Sequence, residues 1–198
     1  MNDHYYTVHP TSDHALRRIQ VRVLGQELIF DTDAGLFSRD GLDVGTRALL
    51  EALPTLSGRI LDLGCGWGPV GATVKKCYPE CDVVMTDVNQ RAVQTAQANL
   101  LLNGLTAWVY QGDGFENVSG TFDWVITNPP IRTGKAAIYK MFADARERLN
   151  PGGHLVLVIR KQQGAPSALK YLRELFGNGE VIAREAGFWV IDCVRQDA

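Results

Sequence analysis

The spacing of apolar and polar positions divides the chain into two stretches with different rhythms. Residues 20–31, QVRVLGQELIFD, alternate apolar and polar on either side of Gly25-Gln26, which predicts a β-hairpin. A loop at 32–38 follows. Asp43 then offers an N-cap for a short helix through Leu53, stopped by Pro54. From residue 58 the rhythm becomes strand, glycine loop, helix. RILDL, DVVMTD, AWVYQ, FDWVIT and HLVLVI each predict a strand. One intervening helix opens at Pro69, and a second runs from an Asn89 cap to a left-handed stop at Asn103-Gly104. A third spans about 135 to 149 and ends in a turn at Asn150-Pro151-Gly152-Gly153. Residues 165–176 predict another helix, and 180–184 and 188–194 two last strands. Residues 1–18 read as polar and irregular.

Strands that alternate with helices imply an α/β fold, with a mostly parallel sheet covered on both faces. The expected organisation is one domain over residues 1–198. Residues 1–57 form an N-terminal hairpin and cover, and 58–198 a Rossmann-like core with an antiparallel C-terminal strand. With 198 residues, 45% of them hydrophobic, the chain can fill one such core but not two enzyme domains. A charged fraction of 21% and a net charge of -2 argue against a disordered acidic tail and against a broadly basic nucleic-acid coat. A nucleic-acid substrate would have to be met by a local basic patch. No apolar run approaches the ~20 residues of a membrane span. The start, Met1 to Tyr6, lacks the basic-then-apolar pattern of a signal peptide, so a cytoplasmic protein is expected. Cys65, Cys77, Cys81 and Cys193 form no Cys-x-x-Cys pair and read as reduced thiols, with no metal site.

In parallel sheets of this kind ligands bind beyond the carboxyl ends of the strands, and that is where the unusual residues fall. Asp62-Leu63-Gly64-Cys65-Gly66-Trp67-Gly68 follows the first core strand, and its glycines let the backbone approach a ligand closely. Gly66, Gly68 and Gly71 also match a dinucleotide fingerprint, so this loop alone predicts only a nucleotide-like ligand. Asp62 favours S-adenosylmethionine (AdoMet): a carboxylate there can hold an ammonium group but would repel a pyrophosphate. Asp87, with Val88 beside it, ends the second strand where an acidic residue accepts from ribose hydroxyls. That role fits both ligands; capping the next helix is its alternative. Gly112-Asp113-Gly114 after the third strand is either a plain turn or an acceptor for an adenine amino group. Asn128-Pro129-Pro130 follows the fourth strand. The two prolines stiffen that turn and aim carbonyls outward, so with the Asn128 side chain they can grip an amine. Methyl transfer is an in-line displacement that depends on such positioning, whereas a dehydrogenase has no use for it.

These four blocks, in this order, resemble class I AdoMet-dependent methyltransferases acting on planar nitrogens. His4-Tyr5-Tyr6, the segment Asp33 to Ser38, and Leu42-Asp43-x-Gly45-Thr46 are similar to the small-domain methyltransferases that include guanine-N2 enzymes of small-subunit ribosomal RNA. The resemblance covers nearly the whole chain, to about residue 195. It implies a class I methyltransferase fold and a site in which Asp62, Gly64, Cys65, Gly66 and Gly68 meet the methionine end of AdoMet. Asp87 and Val88 would meet the ribose, Asp113 and Gly114 the adenine, and Asn128, Pro129 and Pro130 the target amine. Phe37 and Thr46 would help close the site; each can equally be a core aromatic or a helix-start hydroxyl. Many amino methyltransferases carry an aromatic directly after Asn-Pro-Pro, whereas this chain has Ile131, leaving Phe37 or Trp67 to stack on a base. Ile131, Arg132 and Lys135 are the expected substrate contacts. Lys140, Arg160 and Lys161 either extend them into a phosphate-binding rim or are ordinary solvated charges. His4 to Tyr6 with Arg17 and Arg18 form either an RNA-touching arm or a cover for the core. The expected partner is ribosomal RNA or the small ribosomal subunit. A protein glutamine, an adenine amine, a small molecule, or a non-catalytic RNA- or protein-binding module stand as alternatives.

Overall fold

The computed structural model describes residues 16–33 and 41–196, so the expectations for His4 to Tyr6, Phe37 and Ser38 lie outside the described residues. Strands β1 (Arg17–Val23) and β2 (Gln26–Thr32) form the antiparallel hairpin. Its turn lies at Leu24-Gly25, one residue earlier than the sequence pattern suggests. Both residues have positive φ, 51° and 72°, which is the type I′ geometry that matches the twist of paired strands. Arg17 and Arg18, read as the end of the polar, irregular segment 1–18, belong to β1; Arg18 meets Asp31 across the hairpin at 2.8 Å. Val21, Val23, Leu28 and Phe30 are buried, giving the hairpin one apolar face.

Helix α1 (Val44–Ala52) is followed by β3 (Arg59–Leu63), α2 (Pro69–Cys77), β4 (Asp82–Asp87), α3 (Gln90–Leu102), β5 (Trp108–Gln111) and β6 (Phe122–Thr127). Then come α4 (Lys135–Arg148), β7 (Leu149–Arg160), α5 (Ala165–Phe176), β8 (Glu180–Glu185) and β9 (Phe188–Val194). The seven core strands run in the order β5-β4-β3-β6-β7-β9-β8. The first five are parallel, and β9 lies antiparallel between β7 and β8. The chain steps outward from β3 to β5, then restarts on the other side of β3 with β6. That reversal opens a crevice at the carboxyl ends of β3 and β6.

Successive strand residues face opposite layers. Ile60, Met85, Ile126 and Val158 join α1, α2, α3 and the hairpin on one face, while Leu61, Val84, Val125 and Leu157 join α4 and α5 on the other. β7 begins earlier than expected and includes the Asn150-Pro151-Gly152-Gly153 run read as a turn. Phe122 pairs with Leu149, and the register then shifts before Trp124 pairs with His154. Gly152 takes φ 75° to absorb the bulge, and the Arg195 backbone closes it by bonding Gly152 and Gly153 at 2.7 and 2.8 Å.

Two asparagines, Asn99 and Asn103, bond the hairpin to the core, and one of them also bonds the glycine loop. Asn99 on α3, fully buried, accepts from Asp31 N at 2.7 Å and donates to Asp31 O at 2.9 Å and Trp67 O at 2.8 Å. Trp67 lies within the glycine loop, so the same amide holds both segments.

Candidate active site

β3 ends at Leu63, and the chain turns through Gly64 and Gly66, with φ of 74° and 55°. The amides of Gly64 and Cys65 both donate to Thr86 O at 2.9 Å, and Thr127 Oγ1 donates to Leu63 O at 2.7 Å. The loop is thereby seated on the ends of β4 and β6. A Cβ on Gly64 or Gly66 would meet nothing within 4 Å, so these backbones face open space. That space is a cavity of about 980 Å³ at the carboxyl ends of the strands, large enough for a nucleoside ligand. Gly68 has a different duty. A Cβ there would stand 3.0 Å from Met85 Cε, and one on Gly71 2.6 Å from Met85 Sδ. Both glycines let α2 pack closely on the sheet, and Gly68 stands behind the cavity wall rather than in it.

Two carboxylates reach the cavity floor. Asp62, 3% exposed, accepts from Gly71 N at 2.8 Å. Burial pushes its carboxyl up to about 7; the Gly71 amide opposes that shift and the Asp87 charge adds to it. Asp87 accepts from Gly66 N at 2.8 Å and Asn89 N at 2.9 Å. Burial raises it as well, against the pull of those amides. Helix capping falls to Asn89, whose Oδ1 accepts from Arg91 N and Ala92 N. Asp87 and Val88 thus stand in the wall free of that task. Cys65 also lines the wall, and burial holds its thiol well above the usual range, so it stays protonated. Asp113 and Gly114 stand at the exposed rim, where Gly114 O accepts from Thr86 Oγ1 at 3.4 Å. Two acidic groups beside open glycine amides fit a cationic amino acid joined to a nucleoside, and would repel a pyrophosphate. The residues present fit AdoMet.

Opposite the glycine loop, β6 delivers Asn128, Pro129 and Pro130 into the same wall. Asn128 Nδ2 donates to Thr46 Oγ1 at 3.0 Å, and the Thr46 hydroxyl donates to Asp43 Oδ2. The two proline carbonyls differ. Pro130 O accepts from Thr133 N at 2.9 Å and Thr133 Oγ1 at 2.8 Å, closing the 3-10 turn Ile131–Thr133. The expectation that both carbonyls face outward therefore narrows to Pro129. Thr46, 4% exposed, lines the wall beside Asn128 at the start of α1, and Asp43 lines it too. Ile131, Arg132, Lys140 and Arg160 line the mouth. Lys135 sits outside the wall, its Nζ 5.2 Å from the Tyr139 ring centroid.

Trp67 does not offer a stacking face: it is 2% exposed and edge-on to Phe30 at 4.8 Å. Phe115 and Phe188, both missed by sequence reasoning, are the partly exposed aromatics in the wall; Phe188 has the Arg160 guanidinium 5.3 Å from its ring centroid. The only sequence signal for Phe188 is the turn at Ala186-Gly187 before it; its neighbours come from distant strands. Asp43 was foreseen as a helix cap but not as a partner of the site. Among the described residues, no helix is long and apolar enough to cross a membrane, and no group of three or more His, Cys, Asp or Glu residues is placed to hold a metal.

The family model for the methyltransferase small domain matches residues 27–192. A Bacillus subtilis (strain 168) protein described as uncharacterized protein YbxB is 38% identical over 196 residues, covering 96% of this chain and 98% of that protein. The ribosomal RNA small subunit methyltransferase C of Erwinia tasmaniensis is 36% identical, covering 87% of this chain and 51% of its own length. Among solved structures, the T. thermophilus 16S rRNA N2 G1207 methyltransferase in complex with AdoMet and guanosine superposes with a TM-score of 0.83. It is 28% identical, with 94% of this chain and 52% of that chain covered. The chain thus spans about half the length of the ribosomal RNA methyltransferases it resembles here.

Proposed function

This chain belongs to the methyltransferase small domain family and has the class I AdoMet-dependent methyltransferase fold, and on that premise we propose that it methylates the exocyclic N2 amine of a guanine in ribosomal RNA. One observation carries the reading. Asn128 and Pro129 stand in the wall of the same cavity as the open glycine loop and Asp87, with the Asn128 amide nitrogen turned back onto Thr46. The Asn128 oxygen and the Pro129 carbonyl are then two acceptors for the two hydrogens of a planar amine.

When bound, AdoMet supplies an electrophilic methyl group on a sulfonium. Asp62, Gly64 and Gly66 would hold its methionine end, Asp87 and Val88 its ribose, and Asp113 and Gly114 its adenine. Asn128 and Pro129 would restrain the amine so that its lone pair points along the line of displacement. Orientation of this kind can supply roughly 7–11 kcal/mol of the barrier. A protonated Cys65 is no nucleophile, in keeping with direct transfer. Arg132 and Arg160 at the mouth suit the phosphates flanking a target base, and Phe188 offers the aromatic face that Ile131 lacks. A cytoplasmic site of action follows from a ribosomal acceptor.

The test is transfer of labelled methyl from AdoMet to unmodified ribosomal RNA, assembled small subunits and total protein, run in parallel. Label confined to an RNA fraction, with N2-methylguanine after nucleoside digestion, is the expected result. Asn128→Ala should lower the rate at least 100-fold and leave AdoMet affinity within a few fold, by analogy with the loss of one preorganised polar contact. Label in protein alone would overturn the RNA acceptor, and a parent rate in Asn128→Ala would overturn the role of Asn128.

A further inference from the structure

We propose that Thr46 is a positioning residue for the transfer, because together with Asp43 it fixes which way round the Asn128 amide stands. The inference rests on the reading of Asn128 as an amine-holding group. An asparagine side chain has a donor at one end and an acceptor at the other, and a half-turn about its last bond exchanges them with little change of shape. Only one of the two orientations accepts from a target N–H.

The choice is made at the start of α1, in the cavity wall beside Asn128. Asp43 is the N-cap of α1, with φ -67° and ψ 155°, and its Oδ1 accepts from Thr46 N at 3.1 Å. That bond holds the carboxylate while Oδ2 accepts from the Thr46 hydroxyl. A carboxylate offers only lone pairs, so the one hydroxyl proton of Thr46 goes to Asp43. Toward Asn128 the hydroxyl is left with acceptor capacity alone, and it selects the Nδ2 end, 3.0 Å away. The reverse orientation would set two acceptors against each other at that distance. Thr46 is 4% exposed, which leaves little room for water to relieve the mismatch.

The helix start is itself braced. Leu49 and Leu50 are fully buried, and a Cβ on Gly45 would stand 2.8 Å from Phe188 Cε1, so only glycine admits that ring. A helix cap thus reaches across 82 residues of sequence to orient an acceptor at the strand end. Thr46 lines the same cavity, so a loss in kcat with AdoMet affinity retained is what marks its action through Asn128.

The decisive experiment compares Thr46→Val, which deletes the hydroxyl at nearly constant volume, with Thr46→Ser, which keeps it. With whichever RNA accepts label, Thr46→Val should lower kcat by about 10-fold, one hydrogen bond's worth, with KM and AdoMet affinity within about twofold. Thr46→Ser should recover most of that loss, and Thr46→Val should add nothing in an Asn128→Ala background. Asp43→Asn, which still caps the helix, should show a partial loss because it frees the hydroxyl proton, and it keeps the test open should Thr46→Val fold poorly. A second readout needs no turnover: the side-chain amide resonances of Asn128, assigned by their absence in Asn128→Ala, should shift in Thr46→Val and hold in Thr46→Ser. A parent protein that labels no RNA would overturn the ribosomal acceptor, and the resonances would still decide the Thr46 link. Unchanged Asn128 resonances, an unchanged kcat, or a loss confined to AdoMet affinity in Thr46→Val would overturn the proposal.

Discussion

Asn99→Ala tests whether one buried amide joins the N-terminal hairpin to the glycine loop. The wild-type side chain is fully buried and makes three hydrogen bonds, to Asp31 N, Asp31 O and Trp67 O, at 2.7, 2.9 and 2.8 Å. Each such bond contributes about 0.5–1.5 kcal/mol net, and a buried partner left unpaired costs about 1–3 kcal/mol. Part of the Asp31 backbone can find water, so the expected loss is about 2–4 kcal/mol. At about 2–4 °C per kcal/mol for a chain of this size, Tm should fall by about 4–16 °C. Asn103→Ala is the control. It removes bonds to Ile29 N and O, at 2.9 and 2.7 Å, that lie at the surface, where water takes over, and a part-buried bond to Asn99 O at 2.8 Å within its own helix. Its cost should stay below about 1 kcal/mol. The assay is urea unfolding followed by tryptophan fluorescence, with thermal melts beside it. AdoMet titration should show a several-fold weakening in Asn99→Ala only, because Trp67 O belongs to the ligand loop. Equal losses in the two variants, or a loss under about 1 kcal/mol in Asn99→Ala, would refute the reasoning.

Four further outcomes follow from the same structure. Asp62 ordinarily titrates at 3.8 and is pushed up to about 7 in the fold, so the folded chain holds a proton that the unfolded chain has lost between those values. Its contribution to stability must therefore fall as pH rises from 4 to 7 and flatten above; urea unfolding of wild type against Asp62→Asn should show that slope, and parallel profiles would contradict it. AdoMet binding should strengthen over the same window, with proton release seen calorimetrically in buffers of different ionisation enthalpy. Gly58 has φ 78°, and a Cβ there would lie 2.1 Å from Asp123 Oδ2, which accepts from Arg59 N at 2.7 Å. Gly58→Ala should cost about 2 kcal/mol or more from backbone strain and displacement of that carboxylate, with AdoMet affinity of the folded fraction retained. Phe188→Leu should raise KM for the RNA by roughly 5-fold or more, the worth of one base–aromatic contact, while AdoMet affinity holds; an unchanged KM would remove Phe188 from substrate binding.

The alternation of apolar and polar residues determined the elements and, through them, the class of fold. Alternation at period two marked the hairpin, and short β-branched runs between glycine loops and capped helices marked the parallel strands. The placement of Asp62, Gly64, Gly66, Asp87, Asp113 and Asn128 around one cavity was legible for the same reason: each lies at or just after the carboxyl end of a strand, and in a parallel sheet all those ends face one side. What the sequence could not decide depended on residues far apart in it. The bulge in β7 arises because the Arg195 backbone pairs with Gly152 and Gly153, so a turn-like run was drawn into a strand. Gly68 faces Met85 instead of the cavity because α2 lies tightly on the sheet, which a one-dimensional motif does not encode. Phe188 enters the wall only because β9 inserts between β7 and β8. The link from Asp43 through Thr46 to Asn128 exists because α1 packs across β7, β8 and β9 and brings its first turn to the end of β6. Local pattern sets which way each segment folds, whereas the contacts that aim a side chain belong to the assembled layers.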